Sequence, residues 1–405
     1  MCKPRCEPSP PSGGKLRVSE IFRRHVDAFL EGRVVTPKQA RVLRAVRDCR
    51  TAALGGHAEV CEDCGHSDVH YNSCRDRHCP TCQYQDQEEW IAARMERMLE
   101  VPHFHVVFTV PSQLRPLAMR NPALFYRVLM RSAARVLLRL GAQRLGGQVG
   151  VTVVLHTWDR RMLYHPHVHC IVTAGALDED GGEWKKASLD YLFPVAVMRS
   201  FFSNLLRKDV LDQAREGHLD LECVSGGLRG LGRMLRSLRN RKWVVYCEKP
   251  FSGVSSLVSY LGRYTHRVAI SDSRLLAVSD QAITFRARGD ATVTVTPEEF
   301  IRRFLLHVLP KGFFKIRHYG LYASAHVNRN LPRARQAIVK AGIVPPPPDA
   351  PLPPVEEVPV PEEEVEFPRC PKCKVGILVT VTLPPSRPKG QARNVEYAGG
   401  RSDTS

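Results

Sequence analysis

The sequence predicts an α+β protein, and two observations carry that reading. The runs "GVTVVLHTW" and "HVHCIVTAG" are β-prone, apolar and joined by the turn-like "DRRMLYHP", which suits antiparallel pairing. Segments with apolar residues at helical spacing are interspersed among such strands, giving an α+β domain of roughly 220 residues. At 405 residues, 43% hydrophobic and 25% charged, the chain has the composition of a globular protein with room for two or three domains.

The elements follow in order. Residues up to Gly14 are rich in Pro, Ser and Gly and read as a flexible N-terminus. "TPKQARVLRAVRDCR" places Thr36 at an N-cap, Pro37 at the first helical position and Gln39 where a capping box needs it, with Leu43 and Val46 on one face. A second helix, "QDQEEWIAARMERMLE", leads to the buried strand "HFHVVFTVP", which Pro111 ends. A long helix spans Asn121 to Leu145, the strand pair follows, and another helix surrounds "VAVMRSFFSNLLRKDVLDQAREG". The basic segment "GLRGLGRMLRSLRNRK", the strand "WVVYCE", the segment "SSLVSYLGRYTHR", a meander over "RLLAVSDQAITFRARGDATVTV" and a helix capped by Thr296 complete the body. Beyond it, "VPPPPDAPLPPVEEVPVPEEEVEFP" is proline-rich and acidic, the composition of an extended linker that builds no core. The expected partition is 1–14 flexible, 15–100 a cysteine-bearing domain, 101–330 the α+β domain, 331–369 the Pro/Glu linker and 370–405 a tail with a lone CxxC.

Charge points to a partner. The formal net charge is +18, spread along the chain, which favours a polyanion because each neutralised phosphate releases counterions. No apolar run approaches the roughly 18 residues of a membrane span, and the start lacks the apolar stretch of a signal peptide. The expected compartment is therefore the cytoplasm. There, thirteen cysteines, most of them clustered with metal-ligand spacing, indicate zinc rather than disulfides.

"HAEVCEDCGHSDVHYNSCRDRHCPTCQ" holds two CxxC pairs, Cys61/Cys64 and Cys79/Cys82, whose separation suits one tetrahedral zinc site. Cys74 and His78 are possible alternates, and His57 and His66 also lie within reach. A filled four-ligand site leaves no position for substrate, so this zinc is expected to be structural. Cys370 and Cys373 form half of a further ribbon whose partner is not evident, Cys2 and Cys6 being the only suggestion.

Chemistry concentrates at two places. In "YHPHVHC", His167 and His169 stand at i and i+2, so on a strand both imidazoles share a face and can hold one ion. In "SYLGRYTHR", Tyr260 and Tyr264 stand at i and i+4, one face of a helix, with Arg263 and Arg267 beside them. A phenol is a poor nucleophile unless a metal or cation stabilises the charge on the phosphate it attacks.

These motifs resemble a known family. "HPHVH" contains the histidine-hydrophobic-histidine (HUH) signature of single-strand DNA nucleases, and "YLGRYTHRVAIS" is similar to the two-tyrosine motif of the rolling-circle transposases named for insertion sequence ninety-one. "LPKGFFKIRHYGL" and "SCRDRHCPTCQ" extend the resemblance over roughly Val18 to Leu321. It implies an antiparallel-sheet HUH nuclease domain behind a zinc-binding domain. It implies also that His167 and His169 hold Mg²⁺ or Mn²⁺ while Tyr260 or Tyr264 attacks DNA, leaving a 5′-phosphotyrosine and a free 3′-hydroxyl. Imidazole is softer than Mg²⁺ prefers, so Mn²⁺ is expected to bind more tightly and an oxygen ligand is expected as well. The candidates for the third position are His156 on the neighbouring strand, Asp159, which supplies oxygen, and His165.

The implied partners are single-stranded DNA at transposon ends and target DNA, with no small-molecule cofactor, in keeping with the lack of a GxxxxGK[ST] loop. Lys311, Lys315, Arg317 and His318, with Arg263 and Arg267, are the candidate DNA contacts, because Phe313, Phe314 and Tyr319 interleave with cations as single strands demand. The rival readings are a replication initiator or relaxase of the same chemistry, a non-catalytic zinc-dependent DNA-binding protein, and a metallohydrolase built on the histidines alone.

Overall fold

The computed structural model describes residues 16–82, 97–241, 243–251, 269–343 and 369–386. Tyr260, Tyr264, Arg263, Arg267 and most of the helix expected after the cysteine cluster lie outside these residues.

The chain opens with α1 (Val18–Leu30) and α2 (Pro37–Asp48). The capping box forms: Gln39 N–H donates to Thr36 Oγ1 at 3.2 Å, and Thr36 N–H donates to Gln39 Oε1 at 3.0 Å. The hairpin β1 (Gly56–Cys61) and β2 (Ser67–Tyr71) carries the first CxxC at its turn, before β3 (His103–Thr109), α3 (Arg115–Arg120) and α4 (Pro122–Leu140). Next come β4 (Gly147–Gln148), β5 (Gly150–Trp158), β6 (Tyr164–Thr173), β7 (Gly175–Asp178) and β8 (Trp184–Lys186), then α5 (Val195–Arg215), α6 (Gly227–Ser237) and β9 (Val244–Cys247). The last stretch holds β10 (Leu275–Val278), β11 (Ile283–Arg286), β12 (Thr292–Val295), α7 (Pro297–Leu305), β13 (Ile316–Gly320), α8 (Val327–Lys340) and β14 (Leu378–Leu383).

The central sheet is antiparallel, in the order β13-β5-β6-β3-β9. Strand alternation divides its residues between two faces. Phe104, Val106 and Phe108 of β3, Val151, Val153 and Leu155 of β5, and Val168, Cys170 and Val172 of β6 turn to one side and form the main core with α4 and α5. A buried side chain of this kind is worth about 1.5–3 kcal/mol, so this face fixes the register of every strand. The other face receives the side chains of intervening positions, and that is where the histidines stand.

Two features depart from the expected partition. The core of α1 and α2 is completed by residues far along the chain, including Leu275, Ile283, Phe285, Phe300 and Phe304, so 269–305 packs with the N-terminal helices and not only with the domain that contains it in sequence. The expected linker start at Leu331 also falls inside α8, which buries Leu331, Ala334, Ala337 and Ile338 against Trp184, Leu177 and Tyr322. Pro332 lies within this helix.

Candidate metal and DNA site

β5 and β6 pair so that His156 faces His167 and Val154 faces His169. Paired residues share a face, which gathers His156, His167 and His169, with ligand nitrogens all within 4.8 Å of one another. His167 Nε2 and His169 Nε2 are 3.1 Å apart. Two ligands about 2.1 Å from one ion and at right angles would stand about 3 Å apart, so the pair fits a divalent ion.

The outer nitrogens are engaged in a way that leaves these inner ones as acceptors. His167 Nδ1 lies 2.7 Å from the His165 carbonyl oxygen and donates to it. His169 Nδ1 lies 2.8 Å from His105 Nε2, and His105 Nδ1 lies 3.0 Å from Glu248 Oε2. One tautomer set satisfies all three contacts: His105 donates to the carboxylate and accepts from His169, whose Nε2 lone pair then points inward. Burial pushes His167 down to about 4 and holds His169 well below the usual imidazole range, so both are neutral imidazoles at physiological pH, the form a metal ion would need.

The other two candidates for the third position are used elsewhere. Asp159 Oδ1 accepts from the backbone N–H groups of Arg161 at 2.8 Å and Leu163 at 2.9 Å, shaping the β5–β6 turn. His165 Nδ1 accepts from Arg115 Nη2 at 2.7 Å. The structure therefore brings His156, and neither of these, to the histidine pair. His105 and Glu248 escaped the sequence reading; the only signal was the alternation of His103 and His105 in "HFHVVF".

The expected DNA contacts on 311–318 separate. Lys311 is exposed, and Phe314 is 73% exposed beside it. Phe313 belongs to the main core. Lys315 is a correction: it is not a surface cation but a buried one, its ammonium 5.3 Å from the centre of the Trp158 ring, and burial pushes it down to about 7. Arg317 and His318 point to opposite faces of β13. Arg317 lies 5.9 Å over the Phe313 ring, while His318 Nδ1 contacts Thr152 Oγ1 at 3.0 Å on the histidine face.

The cysteines also regroup. The four thiols expected to share one ion are divided between two clusters: Cys79 and Cys82 meet Cys49 and Cys74, whereas Cys61 and Cys64 meet Cys370 and Cys373. Cys49 caps the end of α2, and its Sγ is 3.4 Å from Cys82 Sγ, with Cys74 Sγ at 3.5 Å from the same atom. These separations suit a tetrahedral tetrathiolate. His78 stays out of it: its Nδ1 contacts Asp76 Oδ1 at 2.8 Å and its Nε2 accepts from Leu309 N–H at 3.3 Å. With Arg77 donating to the Phe313 carbonyl at 2.9 Å, it fastens the cysteine loop to the segment before β13.

A histidine cluster on an antiparallel sheet accompanies cysteine clusters in a strongly basic chain, and comparison with known proteins gives the class. Residues 150–330 match the family described as "Putative transposase", and residues 21–110 match "Transposase zinc-binding domain" of the IS91 group. The chain is 39% identical over 383 residues to "Putative transposase y4qJ" of Sinorhizobium fredii (strain NBRC 101917 / NGR234), covering 90% of this chain and 95% of that protein. It is 31% identical over 309 residues to "Transposase for insertion sequence element IS801" of Pseudomonas savastanoi pv. phaseolicola, 72% of each. No solved structure matches. The chain belongs to the transposases of the IS91/IS801 type. Its substrate class is DNA and it carries a zinc-binding domain; among the described residues no helix is long and apolar enough to cross a membrane.

Proposed function

We propose that this transposase nicks and rejoins single-stranded DNA at the ends of its element through a covalent 5′-phosphotyrosine. The observation that carries the reading is the convergence of the ring nitrogens of His156, His167 and His169 within 4.8 Å of one another, inside the region that matches the transposase family. Mg²⁺ or Mn²⁺ held there would polarise the scissile phosphate. Tyr260 or Tyr264 loses its phenolic proton and its oxygen attacks phosphorus; the P–O3′ bond breaks and the leaving oxygen takes up a proton as the 3′-hydroxyl. The phosphodiester keeps the bond energy, so the reverse attack by a 3′-hydroxyl rejoins DNA without ATP. Two tyrosines allow two strands to be held in succession, as rolling-circle transfer requires.

The four thiols Cys49, Cys74, Cys79 and Cys82 hold the structural zinc of the matched domain. Phe314 and Lys311 are exposed just before β13, whose His318 stands on the histidine face, and an exposed ring with a nearby cation suits an unpaired strand.

The test is incubation of the protein and Mn²⁺ with end-labelled single-stranded DNA bearing the element's terminus, followed by denaturing electrophoresis. A covalent adduct that disappears in Tyr260→Phe or Tyr264→Phe is expected. Binding without any adduct would favour the non-catalytic DNA-binding reading, and metal-dependent hydrolysis by the double Phe variant would favour the metallohydrolase.

A further inference from the structure

We propose that Cys61, Cys64, Cys370 and Cys373 bind a second zinc ion, separate from the one inside the matched zinc-binding domain, and that this ion latches the segment 369–386 onto the β1–β2 hairpin. Two of its thiols lie outside residues 21–110, at the far end of the chain.

Geometry is the first support. Cys61 Sγ stands 3.7 Å from Cys373 Sγ, and Cys64 Sγ 3.6 Å from Cys370 Sγ. Neighbouring sulfurs around a tetrahedral zinc with bonds of about 2.3 Å are about 3.8 Å apart, whereas disulfide sulfurs are about 2.05 Å apart.

The two CxxC turns are built alike, which is the second support. Gly65 N–H donates to the Cys61 carbonyl at 3.0 Å, and Lys374 N–H donates to the Cys370 carbonyl at 2.8 Å. The residue after each second cysteine has a left-handed backbone, Gly65 at φ +67° and Lys374 at φ +59°. Cys61 N–H donates to the His66 carbonyl at 2.8 Å, and Cys370 N–H to the Gly376 carbonyl at 2.7 Å. Further backbone N–H groups approach the sulfurs: Lys372 N to Cys370 Sγ at 3.4 Å and Gly376 N to Cys373 Sγ at 3.3 Å. Such donors stabilise thiolate charge. Gly376 is also a close-approach position, since a Cβ there would come within 2.5 Å of Cys61 Sγ.

The strand that follows gives the reason for a latch. β14 pairs with β1 over six positions, Gly56↔Leu383 to Cys61↔Leu378, yet its side chains are largely exposed, Val379 at 41% and Val381 at 45%. Backbone pairing at a sheet edge with so little apolar burial would be weak alone. Zinc binding, in which four thiols give up their protons to form four Zn–S bonds, supplies the missing attachment and joins positions 312 residues apart in sequence.

The experiment measures zinc per chain by mass spectrometry on the purified full chain, with thiol mapping by iodoacetamide. Two zinc ions are expected in the wild type, falling to one in Cys370→Ser/Cys373→Ser and to one in Cys49→Ser/Cys74→Ser. In the zinc-loaded wild type, the two half-exposed members Cys64 and Cys373 should resist alkylation together and become reactive together on chelation. One zinc in the wild type, two zincs retained in Cys370→Ser/Cys373→Ser, full-rate alkylation of Cys373 in the loaded protein, or a mass showing two disulfides would each overturn the proposal. The alkylation arm uses no variant, so a substitution that disrupts folding leaves it decisive, and none of these readouts depends on DNA cleavage.

Discussion

His105 Nε2 lies 2.8 Å from His169 Nδ1, and the two rings stack within 3° of parallel at a centroid distance of 5.0 Å. His105 is anchored in turn by Glu248, directly after β9, so this residue and β3 together hold the His169 ring of β6 that faces the candidate ion site. Partners of this kind orient a ligand and raise its basicity, and their loss typically costs 10–100-fold in metal affinity. His105→Ala is therefore expected to weaken Mn²⁺ binding by roughly 10–100-fold while leaving DNA affinity in the absence of metal close to wild type. Mn²⁺ titration followed by electron paramagnetic resonance checks it; unchanged affinity would reduce the His105–His169 contact to packing.

The regrouping of the cysteines makes a second expectation. Cys49 stands in the Cys79/Cys82 cluster, while His78 is tied to Asp76 and Leu309. Cys49→Ser should cost one zinc and loosen the shared core of α1, α2 and α7, into which Cys49, Cys79 and Cys82 are packed. His78→Ala should retain its zinc yet lower stability by about 1–3 kcal/mol, because the buried Asp76 carboxylate and Leu309 N–H lose a partner. Metal analysis beside thermal unfolding separates the two; loss of zinc in the histidine variant would return His78 to the ligand set.

What the sequence disclosed follows from the range of each signal. Local rules read correctly: Thr36 and Thr296 cap α2 and α7, and the i, i+2 spacing of His167 and His169 does put both rings on one face. Pairings set by tertiary structure were not legible. Two adjacent CxxC motifs look like one site, and nothing in their spacing reveals that Cys49 belongs to one and the distant Cys370 and Cys373 to the other. The same limit applies to His105, whose role depends on the register of β3 against β6. Lys315 looked like a member of an exposed basic run, but the strand that follows draws it under the surface toward Trp158.

Gly320 ends β13 with φ at +61°, and a Cβ there would sit 2.0 Å from the Val149 carbonyl oxygen. Both the backbone region and the backbone neighbour forbid a side chain, and neither can give way cheaply. Gly320→Ala is expected to destabilise the protein by about 1–3 kcal/mol. Because β13 pairs His318 with Thr152, the shift should also disturb the histidine face. Chemical denaturation measures the first effect; a variant as stable as wild type would mean that the β13–β5 register is softer than its hydrogen bonds imply.

Phe314 and Lys315 are sequence neighbours with opposite environments, and that contrast tests the proposed DNA path. Phe314 exposes 73% of its surface, leaving a large apolar ring open to a stacking partner. If it stacks on a base, Phe314→Ala should weaken single-stranded DNA binding by about 1–3 kcal/mol, roughly 5- to 150-fold, with little change in stability. Lys311, exposed on the same segment, should act through phosphate, so Lys311→Ala is expected to reduce the slope of log affinity against log salt by about 1. Lys315, only 9% exposed, should behave differently again, Lys315→Ala lowering thermal stability while the salt slope stays put. Fluorescence anisotropy with a labelled oligonucleotide across a salt series reads all three variants. A salt slope that falls in Lys315→Ala but not in Lys311→Ala would place the DNA against the interior edge of the sheet at Trp158 and move the proposed path away from Phe314.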